Sequence, residues 1–523
     1  MWYSYCYTRV YTFEMIICRP GKKQSFGLLL ILFLTLSLTF ESCKKHNRHI
    51  GEILFKKTQN NVFKKLDDDE FDAVFKRVLD SESSKLNYPH VINIWYSQHN
   101  YDPSLLLNSL QNNDLASIAD YYDKSTEHGF DPKVFHGDEI RSLAAKFYDK
   151  TAIKNPNEAY HDIAELELLI ANSFIKYSNY LQYGIINPKN IYARYYTVTK
   201  RPDSASMLHV LAVKDVRAYL DSIQPKDPQY VALQKAYLGN TVLPGTSLEE
   251  TKRILLVNME RLRWKNKPTE PKYVLVNIPD FHLDVIDSGH SVLGMKVCVG
   301  QGRNMDYAKN LMHYDDTDKV DKPQPHSTPQ LNSVIHSVQV NPIWNIPESI
   351  ANKEIIVEAA KDPYYLSNKN IDVYKNDKKV PDPDSIKWDQ VDKSEYSFKQ
   401  EPGEDNSLGK IKFLFENESN VYLHDTPAKS AFYEKMRAVS HGCVRLGDPQ
   451  ALALNLFGAG DKYDTITKDM AADNPDPTTI YLPRKTPVYI TYVTCWADSN
   501  GTLQYRPDVY GLDIVLYANL AAK

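Results

Sequence analysis

Residues 281–300 read FHLDVIDSGHSVLGMKVCVG, and their spacing decides the fold of the second half of the chain. Apolar and polar residues alternate up to Asp287-Ser288-Gly289 and alternate again behind it, the pattern of a hairpin. Just upstream, KYVLVNI (272–278) has the same period. Downstream, NSVIHSVQVNP (332–342), GKIKFLFEN (409–417) and NVYLHDTP (420–427) read as further strands. A late pair, TPVYITYVTCW (486–496) and TLQYR (502–506), is joined by Asp498-Ser499-Asn500-Gly501. Strands so close in sequence predict a mixed or antiparallel sheet or barrel rather than a doubly wound fold.

The preceding half has the helical period. In YHDIAELELLIANSFIKYSNYLQYG (160–184), Ile163, Leu166, Ile170, Phe174 and Tyr177 recur at spacings of three and four, one apolar face of a helix. Gly184 and Asn187-Pro188 end it. DVRAYLDSIQPKDPQYVALQKAYLG (215–239) holds two more helices separated by Pro225 and Pro228. The loop NTVLPGTSLEE (240–250) leads into the helix TKRILLVNMERLRW (251–264), with glutamates in its first turn and arginines near its end, as the helix dipole favours. The expected class is therefore α+β. A helical N-terminal scaffold domain (85–245) precedes a mainly β, mixed-sheet or barrel-like domain (251–523). Two polar stretches interrupt the strands, about 301–330 and about 345–408. The second, studded with tyrosine and proline, is long enough to read as a functional lid.

The chain has 523 residues, a net charge of −4 and six cysteines. That charge gives no case for nucleic acid. Arg19, Lys22 and Lys23 precede the apolar run Phe26–Phe40, a leader of signal-peptide length (1–42) and short for a spanning helix. Cys43 behind it resembles a bacterial lipoprotein cleavage site, so lipidation there, a membrane anchor and a periplasmic location are expected. Met15 is a candidate start. Residues 43–84, charge-rich, read as a tether leading into a helix. Beyond the leader only Cys43, Cys298, Cys443 and Cys495 remain, too few for a disulfide framework.

The chemistry concentrates in AVSHGCVRLGDP (438–449). A thiol needs an adjacent base or a positive environment to act as a nucleophile. His441 is two residues from Cys443. His424 can face Cys443 if its segment and SHGCVRL are neighbouring strands. Gly442 allows close backbone approach and leaves amides for an oxyanion, and Asp448-Pro449 is a good helix start. Residue types alone leave Cys443 as a nucleophile, a ligand with His424 and His441 in a zinc site lacking an obvious fourth ligand, or a buried thiol.

His424, then fifteen residues, then Ser440-His441-Gly442-Cys443-Val444-Arg445, resembles the signature of bacterial L,D-transpeptidases. MERLRW, VNIPDFHLDVI, NPIWNIPESIANKEI, QEPGEDNSLGKIKFLFEN, VYLHDTPAKSAF and DVYGLD resemble the large, lid-bearing branch. HGFDP, AELELL and YGIINP resemble its scaffold domain, so the likeness covers about 90–515. The resemblance implies that Cys443 attacks the third-residue carbonyl of a peptidoglycan stem tetrapeptide and expels D-alanine. His424 would be its base, oriented by a backbone carbonyl. Ser440, His441, Gly442 and Arg445 would line the site, with the Gly442 and Cys443 amides as oxyanion hole and Arg445 near a substrate carboxylate. An amine of a second stem would resolve the thioester to a 3→3 cross-link. No cofactor or metal is implied, and carbapenems are implied as acylating agents of Cys443. With water as acceptor the same site gives an L,D-carboxypeptidase. With a lipoprotein lysine it gives a wall-anchoring ligase, and a non-catalytic wall-binding lipoprotein is a further reading, against which an alkylation profile showing a depressed Cys443 pKa would count. The branch usually carries a small peptidoglycan-binding domain before MERLRW; only 240–250 stands there. The 301–330 stretch is also longer than the family's usual connection.

Overall fold

The hairpin at 281–300 forms as its spacing predicts, and its two turn residues, Ser288 and Gly289, both take positive φ (+52° and +85°), which matches the twist of the strands they join. The structure, a computed structural model, describes residues 49–523 except 113, 308 and 473–475. The strands run β1 (Lys272–Asn277), β2 (His282–Asp287), β3 (His290–Gly300) and β4 (Leu331–Val340) before the insertion. Within it lie β5 (Trp344–Ile346), β6 (Ile371–Lys375), β7 (Lys378–Lys379) and β8 (Tyr396–Gln400). After it come β9 (Ile411–Phe415), β10 (Leu423–His424), β11 (Ala438–Ser440), β12 (Val444–Leu446) and β13 (Thr478–Thr491), with β14 (Cys495–Ala497) and β15 (Leu503–Tyr505) as a separate hairpin.

Nine strands pair in the order β11-β3-β12-β10-β9-β4-β13-β1-β2, and β2 also pairs β3. Eight of them therefore close on themselves as a mixed barrel, with β11 added to the end of β3. Closure removes the exposed edges a sheet of this size would present. Val276, Leu283, Val297, Val338, Phe413, Leu423 and Val444 fill the inside. Their sequence neighbours, by the alternation of strand side chains, face outward.

The scaffold is built around the helix Pro156–Tyr183, capped by Asn155, whose side chain accepts from the Glu158 amide. The tether expected over 43–84 is shorter than its charge suggested. From Ile50 the chain is helical, and Leu54, Phe63, Phe71, Phe75, Val78 and Leu79 are buried in the scaffold core. Phe71, Phe75, Val78 and Leu79 form an i, i+4, i+7, i+8 stripe inside DDEFDAVFKRVLDSE. Each such residue, fully buried, contributes about 1.5–3 kcal/mol, enough to outweigh the solvated acids around it. Among the described residues no helix is long and apolar enough to cross a membrane. The expected leader and Cys43 lie outside the described residues.

The helix Leu248–Arg263 couples the two halves, and its MERLRW end does this residue by residue. Glu260 accepts from the Ile186 amide (2.8 Å) and from Trp264 Nε1 (3.3 Å), and its other oxygen accepts from Arg263 (2.8 Å). Arg263 also donates to the His128 carbonyl (2.5 Å) and to Tyr230. Those partners belong to the scaffold. Arg261, between them on the other side, pairs with buried Asp513 (2.5 Å) at the start of the C-terminal helix Leu512–Leu520. Gly184 passes so close that a Cβ there would stand 2.5 Å from Glu260 Oε1.

The insertion has its own core, Ile346, Ile350, Ile355, Leu366, Val373, Trp388 and Phe398, under a four-stranded sheet ordered β5-β8-β6-β7. Its stems are tied together by Asn406, whose side chain donates to the carbonyls of Pro342, Gln400 and Glu401. The 301–330 stretch runs along the C-terminal helix, with Arg303 donating to the Tyr510 and Gly511 carbonyls, and it ends at Thr328 beside the SHGC turn.

Candidate active site

The register of three strands assembles the site. β10 runs parallel to β12, pairing Leu423 with Val444 and His424 with Arg445. On its other side β10 is antiparallel to β9, pairing His424 with Lys412. Leu423, Val444 and Phe413 point into the barrel core. His424, Arg445 and Lys412 therefore share the outer face, with the histidine between two cations. One step back along both parallel strands, Tyr422 stands beside Cys443, and the Val444 amide donates to the Tyr422 carbonyl (3.1 Å). Tyr422 also reaches the Cys443 sulfur through its hydroxyl and its backbone. The neighbouring strands that the sequence reading required are present, and a short 3-10 turn, Lys429–Tyr433, connects them.

His424 is buried at 4% exposure, and its Nδ1 lies 2.5 Å from the Asp425 carbonyl. A carbonyl only accepts, so Nδ1 carries the proton and Nε2 keeps its lone pair. Burial, reinforced by the Arg445 charge, lowers its pKa to about 4, so the ring is neutral at neutral pH. Asp425 is itself fixed: its carboxylate accepts from the Lys410 amide and pairs with Lys429. Gly409 lies against it so closely that a Cβ would meet the carboxylate at 2.4 Å.

Burial pushes the Cys443 thiol up, against smaller opposing effects of Tyr422, Lys412 and Arg445. The resting pair is thiol and neutral imidazole. Lys412 is lowered by burial and favoured in its charged form by Cys443. Arg445 has a buried Nε with no hydrogen-bond partner.

The SHGC turn is held from within and below. Ser440 Oγ donates to the Cys443 carbonyl (2.6 Å) and accepts from the Gly442 amide (3.2 Å). Ser440 is therefore spent on the turn, and the Gly442 amide, expected in the oxyanion hole, is already engaged. The Cys443 amide takes part in neither bond. Gly442 has φ +119°, a conformation closed to most side chains. Its carbonyl accepts from Thr328 Oγ1 (2.8 Å), which accepts in turn from the Gly300 amide (2.8 Å). The Tyr510 hydroxyl donates to the Gly300 carbonyl (2.6 Å) and accepts from the Thr328 amide (3.1 Å). His441 turns away from the thiol, with Nε2 2.5 Å from Glu354 of the lid and its ring 4.4 Å from His326. The ligand atoms of His441, His424 and Cys443 do not gather within 4.8 Å of one another, as a shared zinc ion would require.

Comparison with known proteins agrees with this arrangement. The YkuD L,D-transpeptidase catalytic domain matches residues 271–490, and a scaffold domain matches residues 91–236. Residues 271–490 are thus similar to an L,D-transpeptidase catalytic domain and stand behind a stretch similar to its scaffold domain. A Haemophilus influenzae protein named "Putative L,D-transpeptidase" is 28% identical over 350 residues, which cover 66% of this chain and 66% of that protein's length, just under two thirds of it. An L,D-transpeptidase from Mycobacterium smegmatis aligns at 11% identity and a TM-score of 0.20, covering 42% of this chain and 58% of that one, a likeness too low to bear on the fold.

Within this transpeptidase-family domain the structure brings together Cys443, His424, Arg445, Gly442, Ser440 and His441 around one turn. Sequence reasoning missed Tyr422, Lys412, Thr328, Gly300 and Glu354. Tyr422 and Lys412 were legible, since each sits two positions from an inward-facing residue's neighbour on a strand already recognised. Thr328 and Gly300 lie more than a hundred positions from Gly442 and carry no local signal.

Proposed function

We propose that this chain is a peptidoglycan L,D-transpeptidase. Cys443 Sγ attacks the carbonyl of the third residue of a stem tetrapeptide while His424 Nε2 takes the thiol proton. The bond to the terminal D-alanine breaks, the proton passes to the leaving amine, and a thioester remains. An amine of a second stem then attacks the thioester, His424 accepts its proton, and the thiol is restored as the 3→3 bond forms. The Cys443 amide donates to the oxyanion. Arg445 and Lys412, flanking the histidine, attract the substrate's carboxylates and disfavour protonation of His424 until the proton transfer itself. Export by the leader and a lipid on Cys43 would place this chemistry at the wall.

The observation that carries the reading is His424, locked by the Asp425 carbonyl into the tautomer that leaves Nε2 basic, on the strand alongside Cys443. Intact-mass spectrometry after incubation with a tetrapeptide stem tests it. The expected species is the protein plus the tripeptide acyl group, with free D-alanine released and the label mapping to Cys443. Absence of that adduct in folded protein, with no D-alanine released, would overturn the proposal. A carbapenem should give the same mapping.

A further inference from the structure

A second cavity lies away from the thiol, where the scaffold meets the end of the helix Leu248–Arg263. It has a volume of about 950 Å³, at the upper end of the range for small-ligand sites. One wall is the C-terminal end of the helix Pro156–Tyr183, and the opposite wall is the segment 262–269. Its charge is one-sided. Lys267 pairs with Asp227, and Arg263 is satisfied by Glu260, Tyr230 and the His128 carbonyl. Lys200, Lys226 and Lys265, also in the lining, form no ion pair with a carboxylate among the described residues, although the Lys200 charge is felt by nearby Asp203. Lys200 and Lys265 are held side by side by a backbone hydrogen bond (3.0 Å). The Lys265 ammonium is destabilised by burial and by the charges of Lys267 and Lys200, so an anion arriving there relieves repulsion already present. The neutral groups on the wall are side-chain amides and hydroxyls, Gln182, Gln224, Ser206 and Tyr219, with the Tyr183 and Trp264 rings between them. Amides, hydroxyls and aromatic edges around unpaired ammonium groups suit a sugar strand whose attached peptides carry carboxylates better than a compact ion.

We propose that this cavity is a second binding site, which takes the carboxylate-bearing glycan strand whose stem peptides react at Cys443. The proposal rests on the transpeptidase reading for the identity of the polymer. It also supplies wall attachment in a chain with only residues 240–250 where its branch usually carries a binding domain.

The test uses the full chain with Cys443→Ala, which prevents turnover, and soluble glycan strands carrying tetrapeptide stems. Adding Lys200→Glu and Lys265→Glu should weaken binding at least tenfold. Both residues are exposed overall, with the Lys265 ammonium partly sheltered, so the melting temperature should change little. Amidating the stem carboxylates should weaken binding to the parent protein by a larger factor than binding to the charge-reversed protein, in which Arg445 and Lys412 still meet them. Strand binding unchanged by the two reversals would overturn the proposal. So would a phosphodiester polymer that binds as tightly and displaces the strands. In the Cys443-containing protein, the same two reversals should leave acylation by a free tetrapeptide within twofold. Loss of acylation in the unmodified protein would instead refute the reaction proposed at Cys443, whichever way the binding experiment falls.

Discussion

Thr328→Val isolates the support beneath the nucleophile. Thr328 is 2% exposed, and its hydroxyl is the sole link described between the Gly442 carbonyl and the Gly300 amide, at 2.8 Å to each. Valine keeps the volume and removes the hydroxyl, leaving a carbonyl and an amide unpaired. Each such buried group costs about 1–3 kcal/mol, or about 2–6 kcal/mol together. The cheapest relief is a shift of the SHGC turn, because Gly300 is pinned by Tyr510 and cannot follow; a Cβ at Gly300 would already stand 1.8 Å from the His326 carbonyl. If about 3 kcal/mol of the cost appears as misplacement of Cys443, acylation slows roughly 100- to 200-fold. The assay is the rate of carbapenem or tetrapeptide adduct formation by intact mass, with a thermal melt in parallel. Thr328→Ser should recover most of the rate. A valine variant within threefold of the parent, with an unchanged melt, would refute the role assigned to this contact.

Other perturbations give equally direct readings. His424→Ala should slow acylation by about 10²–10⁴-fold, the usual contribution of a positioned base. Because the folded His424 pKa is lowered to about 4, the parent's acylation rate should not fall through an imidazole titration between pH 7 and 5, and the acid limb should come near pH 4. Above that limb the rate should stay level through neutral pH and change only beyond the ordinary thiol range, since burial raises Cys443; a thiolate titration below that range in an alkylation profile would contradict this. Asp513→Ala should cost about 3–5 kcal/mol in urea unfolding by stranding the buried Arg261 charge, whereas replacing both partners with apolar residues should cost far less. Glu354→Ala removes the lid's hold on His441 and should raise deuterium uptake in 350–359 without altering the scaffold.

The closed barrel was legible because period-two alternation survives in β1 to β4, β9 and β13, and because Ser288-Gly289 can form only a tight hairpin turn. Cys443 and His424 were legible from their motif, and their juxtaposition followed once parallel pairing of β10 with β12 was assumed. The folded segment from Ile50 was missed although its stripe is regular, since three consecutive aspartates and the basic residues around Phe71 gave it the composition of a tether. The lid's core was hidden for a different reason. Trp388, Phe398 and Ile350 are scattered over some fifty residues, and only the pairing of β5, β6 and β8 brings them together. The engagement of the Gly442 amide by Ser440 could not be read at all, because it depends on the backbone geometry of one turn.

The most direct test of the proposed reaction is mass spectrometry of the products formed from purified tetrapeptide muropeptides, with the unmodified protein beside Cys443→Ala. The reaction proposed here predicts released D-alanine and a 3→3 cross-linked dimer, both absent with the variant. Folded protein that yields neither, or a variant that yields both, would contradict it.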